Sequence, residues 1–464
     1  MAGLAIPSKL DANDLLEHHV AVLLRGFLDC KIKVHSYVSN GTGTEHSVQK
    51  MFTAMASDYK LVTINHLQDS RPNIILKIPL FSEHRIPVAM IQDSKHSGKT
   101  YRNNAFPGAR LLVLGNYVVM YSQFRAIAFE DRPLYNQNVK KLDHQDDAAA
   151  TRLGSTDTLQ WLADHYPQLL GPITYLFIFY ELIDVYQSRN MKHVERAQLA
   201  LRALFFMEMW EEFLDKGKYP KAKHFILKEA CDITCFLIHG LLQLIVIYRD
   251  DLDGVYPLLP WLLSTEVCEH VFGLCRQIVK DFTMLNFYYI IPKLFIRLHE
   301  HLLFSKFSDG KERASGYTHT YMDNCNVDLV ALSIYPSNDD INEAAKTAYE
   351  EAENLWTLLG APPAAPNMST RLPSIRAWFD ERVHNGNMVS TDMEDVEEEV
   401  LGSDYGSCVG NPESDNEEEA EVHQIQKALD SLEKVSVKLS QDEEEINGLA
   451  LAAVSMSVGD GMAM

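Results

Sequence analysis

The stretch Leu263-Ser-Thr-Glu-Val-Cys-Glu-His-Val-Phe-Gly-Leu-Cys-Arg276 carries the densest signal in the chain. Ser264 or Thr265 can cap a helix there, and Glu266 and Glu269 then stand one turn apart on one face. Arg276 follows two turns beyond Glu269 on a similar face, while Cys268, Val271, Phe272 and Cys275 make the apolar side. Two readings stand side by side. A carboxylate on a rigid helix can complete a divalent-metal site, because Mg²⁺ takes hard oxygen ligands at short distance. Alternatively, two acids simply sit where the positive end of a helix dipole favours them.

Working outward, Gln92-Asp-Ser-Lys-His-Ser-Gly-Lys-Thr-Tyr-Arg-Asn-Asn104 follows the apolar run Ile86-Pro-Val-Ala-Met-Ile91. Asp93, His96, Lys99 and Arg102 are three apart, so a helix opening here lines His96, Lys99 and Arg102 along one side, where they could contact phosphate. The competing reading is a solvated helix start after a strand. Ser97-Gly-Lys-Thr100 mimics the end of a P-loop, but Asp93 stands where that motif needs glycine, so nucleotide cradling is rejected. The loop Asn40-Gly-Thr-Gly-Thr-Glu-His46 could offer backbone N–H groups to an anion, or be a plain strand-to-helix turn. Cys231, Cys235 and His239 fall at i, i+4 and i+8 of one helix; that spacing permits zinc, although structural zinc ligands usually come from separate short loops.

Residues 12–29 read as a helix, capped by Asn13 or Asp14, and 31–39 alternate like a strand. A helix over 45–57 and β-prone runs at 61–64, 74–78 and 86–91 complete a small α/β layer. Beyond residue 100, helical patterns dominate, over 107–130, 157–187, 192–215, 220–250, 264–281 and 284–305. The spacing predicts a further helix over 339–359, with Gly360 at C′ and Pro362-Pro363 just beyond. The fold class expected is therefore mostly α with a small α/β layer, followed by a disordered acidic tail.

The chain has 464 residues, about three domains by length, with 46% hydrophobic and 23% charged residues, which excludes a wholly disordered or fibrous protein. The net charge of -22 is uneven. From Thr391 onward there are 20 acids and 3 bases, leaving 44 and 39 for the rest, so the body is near neutral and the tail anionic. A globally basic nucleic-acid binder is excluded, a local basic patch is not. The seven cysteines form no CxxC pair or dense framework. The opening has no basic segment followed by an apolar one, so no signal peptide is expected. The apolar runs 173–186 and 233–248 are shorter than a membrane span, and they predict buried helices in an intracellular protein.

Three blocks resemble those of the P-element-type DNA transposases. Thr265, Glu266, Glu269, Phe272, Gly273 and Arg276 match the late carboxylate motif. Asp93, His96, Lys99, Arg102 and Asn103 match the Asp-Pro-Pro-His-x-x-Lys-x-x-Arg-Asn block, and Val38-Ser-Asn-Gly41 is similar to the Cys-Asp-Gly block. They occur in family order; residues 308–464 have no counterpart. The resemblance implies a ribonuclease-H-like core interrupted by a helical insertion, a nuclear location, and a two-metal Mg²⁺ site of three carboxylates. Glu269 takes the third position. Asn40, a neutral amide, takes the second, and the first is expected on an opening strand before residue 12. Asp11 and Asp14 lie nearby without a strand pattern.

The resulting layout is a partial ribonuclease-H-like region over 1–106, a helical insertion over 107–260, and closing helices with the late carboxylate over 261–306. A loop, helix and linker (307–373) and an acidic tail (374–464) follow, the tail with one amphipathic helix at Ile425, Leu429, Leu432 and Leu439. The functional expectation is a transposon-derived protein that does not cut strands, holds Mg²⁺ weakly or not at all, and binds DNA or protein partners. No membrane or small-molecule partner is expected. The alternatives are an all-α scaffold with an acidic tail, and a nuclease combining Asp93 and Glu269 with Asp58 or Glu83.

Overall fold

Apolar alternation in the first hundred residues yields short strands and helices that hold the later site. The computed structural model describes residues 11–67, 71–106, 110–128, 134, 147–304 and 327–361. In it α1 (Ala12–Leu15) passes through a π-helical turn (Leu16–Val20) into α2 (Ala21–Asp29). The cap is Asp11, whose carboxylate accepts from Asp14 N–H at 2.9 Å, and not Asn13 or Asp14. β1 (Ser36–Ser39) is shorter than the 31–39 run, since its pairing with the later strand begins only at Ser36, and Lys31 takes a left-handed φ of 59. α3 (Gly43–Ala54) starts from a capping box between Thr42 and Glu45.

β2 (Asp58–Ile64), β3 (Ile74–Phe81) and β4 (Ile86–Pro87) form an antiparallel sheet. β5 (Ala89–Gln92) pairs in parallel with β1, Ser39 standing opposite Gln92. Val88 bridges the two sheets by donating its N–H to the Pro79 carbonyl at 3.1 Å. α4 (Ser94–Asn104) follows β5 directly.

The expected helix over 107–130 is corrected. Its centre is a hairpin of β6 (Leu112–Leu114) and β7 (Tyr117–Val119), followed by α5 (Tyr121–Ala128). Short apolar runs do not separate strand from buried helix. Val113, Val118 and Val119 around the Gly115-Asn116 turn were the hairpin signal. The described strands thus form sheets of two, three and two strands, in an otherwise mostly helical protein.

The helices continue as α6 (Asp147–Leu153), α7 (Thr156–His165), α8 (Leu170–Gln187), α9 (His193–Gly217), α10 (Lys221–His224) and α11 (Lys228–Asp250). Then come α12 (Glu266–Ile278), α13 (Met284–Phe304) and α14 (Asn338–Leu358). The main core joins α8, α9, α11 and α14 with β5 to β7. Within it Arg196, fully buried, donates to the carbonyls of Val185 and Ser188 and so ties α9 to the end of α8. The expectations for 308–323, the linker beyond 361 and the acidic tail lie outside the described residues.

α11 is long and apolar enough to cross a membrane, with mean hydropathy 2.0, but 67% of that window is buried in the fold. β3, β5, α4 and α9 cover it. A Cβ at Gly240 would lie 2.5 Å from the Met90 carbonyl oxygen, so only glycine lets α11 press onto β5. That contact fixes the end of β5, from which the site begins.

Candidate functional site

Two parallel strands that end side by side deliver their next residues to one place. β1 ends at Ser39 and β5 at Gln92, and Asp93 N–H donates to the Ser39 carbonyl at 2.9 Å. Asn40 and Asp93 therefore emerge together. The start of α12 lies over them.

Asp93 is the centre of the site and is 1% exposed. Its Oδ1 accepts from Lys95 N–H at 2.9 Å, which caps α4. Its Oδ2 accepts from Thr265 N–H at 2.7 Å, and from the Ser264 and Thr265 hydroxyls at 2.8 Å each. One carboxylate thus serves the first turns of two helices, where unpaired N–H groups and the dipole favour a negative charge. Thr265 Oγ1 also lies 2.5 Å from Asn40 Oδ1. A hydroxyl has one proton and cannot donate to both acceptors. With the Asn40 amide turned over, its Nδ2 donates to Thr265 Oγ1 and the hydroxyl proton goes to Asp93, which satisfies all three groups.

α4 reaches the acids of α12 through two more contacts. Lys95, 9% exposed at its side chain, pairs with Glu266. His96 Nε2 lies 3.0 Å from Glu269 Oε1. Burial opposes the charged form of His96, but the Glu269 hydrogen bond and the charges of Asp93 and Glu269 outweigh it and raise its pKa above the ordinary 6.5. The same bond to His96, chiefly, holds Glu269 below the ordinary 4.5, against a smaller opposing effect of burial.

Those directions set a pH window. His96 contributes fully below 6.5, and its contribution is lost as pH rises through its raised value. Glu269 contributes above 4.5, and its contribution is lost as pH falls through its lowered value. The melting temperature of the parent chain should therefore exceed that of Glu269→Gln most between pH 4.5 and 6.5. The gap should close well above neutrality. A gap independent of pH would show that the pair is not ionised. Glu269 is half exposed, so the effect is modest.

The remaining residues of the sequence reading divide. Lys99 is 8% exposed and Arg102 1%, with the Arg102 guanidinium 4.8 Å from the Phe106 ring centre. A solvated start for α4 is corrected, because most of this helix faces the interior against α8 and α11. Arg102 in particular is turned away from any surface ligand. Arg276 is exposed in the last turn of α12, about 10 Å along the axis from Glu269, outside the cluster. Asp58 pairs with Arg85 across β2 and the turn after β3, apart from the site. Burial pushes the Cys231 thiol up to about 12 and Cys235 to about 11, so both are neutral thiols on α11. Among the described residues no three His, Cys, Asp or Glu side chains are grouped to hold a metal.

Sequence reasoning missed Lys95 and the buried amides under the site. Gln92, fully buried, accepts at Oε1 from His46 Nε2 at 3.1 Å, and Gln49 Nε2 donates to the Ile91 carbonyl at 2.9 Å. The polar Gln92 at the end of an otherwise apolar strand was the available signal.

The Mg²⁺ implied by the resemblance can be tested against these atoms. Asp93 has both oxygens engaged by N–H and O–H donors, Asn40 is neutral, Glu266 faces the Lys95 ammonium, and Glu269 is held by the His96 imidazole. Lone pairs given to hydrogen bonds are not offered to a metal, and Lys95 already brings a positive charge to Glu266. As arranged, the donor set does not fit a divalent ion.

No protein-family model matches the chain, and no curated protein matches it. Among solved structures it is similar to a chain of the Drosophila P element transposase strand transfer complex, with a TM-score of 0.39 and 15% identity over 61% of this chain. The match spans 63% of the length of that chain.

Proposed function

We propose that this is a transposase-derived protein in which a pocket for metal ions has become a metal-free clamp, so that it binds DNA without cutting it. Asn40 carries the reading. Residue 40 and Asp93 stand at the ends of adjacent parallel strands below a helix bearing Glu266 and Glu269, a layout suited to converging carboxylates on a two-metal centre. This reading brings Asp93 among those positions, where the sequence had it only as part of the block whose His96, Lys99 and Arg102 could contact phosphate. It treats the strands of residues 36–92 as the remnant of a ribonuclease-H-like core, and a nuclear location follows from the DNA partner. With aspartate at 40, two carboxylates would compete for one Thr265 proton and would need a cation between them. With asparagine the amide donates, one negative charge fewer stands beside Asp93, and Glu266 and Glu269 are met by Lys95 and His96 of α4.

The test joins stability to chemistry. The parent chain should show a melting temperature unaffected by millimolar Mg²⁺, no nicking of supercoiled plasmid with Mg²⁺ or Mn²⁺, and salt-sensitive binding to a random-sequence duplex pool. Asn40→Asp should lose about 1–3 kcal/mol without Mg²⁺ and regain part of it when the ion is added. Metal-dependent nicking by the parent that vanishes in Glu269→Ala would overturn the reading, as would absence of duplex binding.

A further inference from the structure

α13 is apolar on two opposite faces, and the described residues pack on only one of them. Ile290 and Leu294 are buried against Val271, Leu274 and Cys275 of α12, forming a small core separate from the main one. On the other side Leu285 is 62% exposed, Tyr288 60%, Tyr289 76%, and Phe295 and Ile296 60% each. At 3.6 residues per turn these five fall within about a third of the helix circumference, opposite Ile290 and Leu294. A surface helix that needs only one partner carries one such stripe.

We infer that this outer stripe of α13 is the surface through which two copies of the chain associate. Three observations favour a second copy over other occupants. The first is size. Five large side chains exposed to this degree present roughly 600 Å² of contiguous surface, at the top of the range for monomer patches and close to the ~800 Å² per partner of a stable interface. The second is the spacing. Tyr289 and Phe295 lie three residues either side of Pro292, and Tyr288 and Ile296 four either side. Two antiparallel copies crossing at Pro292 therefore set Tyr289 of one near Ile296 of the other on one flank and Tyr288 near Phe295 on the other flank, and the same again by symmetry, as a two-fold interface requires. The third is charge. The stripe itself carries no Asp, Glu, Lys or Arg side chain; beside it stand Lys293 and Glu300, one of each sign, and Arg297 further round is paired with Glu300 at 3.5 Å, so it lacks the concentrated cationic surface that would favour nucleic acid.

The inference is independent of the clamp described above, since the stripe lies on the side of α13 opposite to the residues that pack on Val271, Leu274 and Cys275 of α12. Sedimentation equilibrium on the full chain tests it. At about 50 µM the parent chain should be dimeric, because interfaces of this size span micromolar to picomolar affinities. Tyr289→Glu should be monomeric with an unchanged far-ultraviolet spectrum, whereas Val255→Glu, at a site 68% exposed in a loop outside α13, should remain dimeric. Ile296→Glu serves as the second stripe variant should Tyr289→Glu misfold. A monomeric parent at that concentration overturns the inference, and so does a folded stripe variant that stays dimeric. A parent that joins into larger species only when duplex is added overturns it as well, since DNA and not α13 would then bridge the copies.

Discussion

Replacing Asp93 with alanine is expected to cost about 4 kcal/mol of stability and to release the start of α12 before the rest of the fold. The magnitude follows from what the carboxylate does. It caps α4, a role whose loss costs ~1 kcal/mol. It also accepts from Thr265 N–H and two hydroxyls at 2.7–2.8 Å in a site 1% exposed, and hydrogen bonds to a buried charge contribute ~1.5–3 kcal/mol. The hydroxyls can turn elsewhere, but the backbone N–H of Thr265 cannot. Hydrogen exchange should show the amides of the first turn of α12 losing protection, and the urea midpoint should fall with little change in slope. Asp93→Asn keeps an acceptor for Lys95 but presents an NH₂ group to donors, so it should recover less than half of the loss. An Asp93→Ala midpoint within ~1 kcal/mol of the parent would mean that α12 is held mainly by its apolar side.

That experiment bears on the function as much as on the fold. In a pocket built for divalent ions, an aspartate to alanine change relieves repulsion between acids when no metal is present, and the apo protein gains stability. In a clamp it loses stability whether or not metal is added. The sign of the change therefore separates the two uses of the same residue, even without any assay of DNA cleavage.

How far the chain could be read from residues alone depends on the range of the physics involved. Local signals held. The helices over 192–215 and 339–359 appear within a few residues, the run 157–187 is divided around Pro167 into α7 and α8, and Gly360 has the left-handed φ of 74 expected at a C′ position. The helix after Asp93 is capped by it, as its place after a strand implies. The hairpin at 112–119 was missed because six apolar residues in a short span fit a buried helix equally well. The burial of Lys95, Lys99 and Arg102 was also illegible, since cations read as solvated until their partners are known. Lys95 meets Glu266 across 171 residues, and no local pattern reports such a pair. The resemblance put Asn40 and Glu269 at one expected site, and in the structure Asn40, Asp93 and the start of the Glu269 helix do meet. The geometry adds that Asp93, and not Glu269, is the group on which they converge.

Trp356→Ala should be the most damaging substitution outside the site, costing about 3–5 kcal/mol. Trp356 is 1% exposed in the last full turn of α14, stacked on Phe206 at 5.2 Å and packed against Phe213 at 5.3 Å, both on α9. Its indole N–H donates to the Phe206 carbonyl at 3.2 Å. Removing it opens a cavity between two long rigid helices that cannot collapse to fill it, which places the cost at the upper end for a core residue. The damage should travel. The Leu359 carbonyl three residues on accepts from Asn116 N–H at 2.9 Å, so loosening the end of α14 frees the turn of the β6–β7 hairpin, whose Val113 carbonyl in turn accepts from Trp210 on α9. Urea unfolding followed by tryptophan fluorescence should show a lower midpoint. Trp356→Phe, which keeps the ring stack and gives up the N–H donor, should lose less than half as much. If Trp356→Ala instead unfolds within ~1 kcal/mol of the parent, then α14 is peripheral to the core rather than part of it, and residues 327–361 would be dispensable to the helical body that supports α11, β5 and the clamp at Asp93.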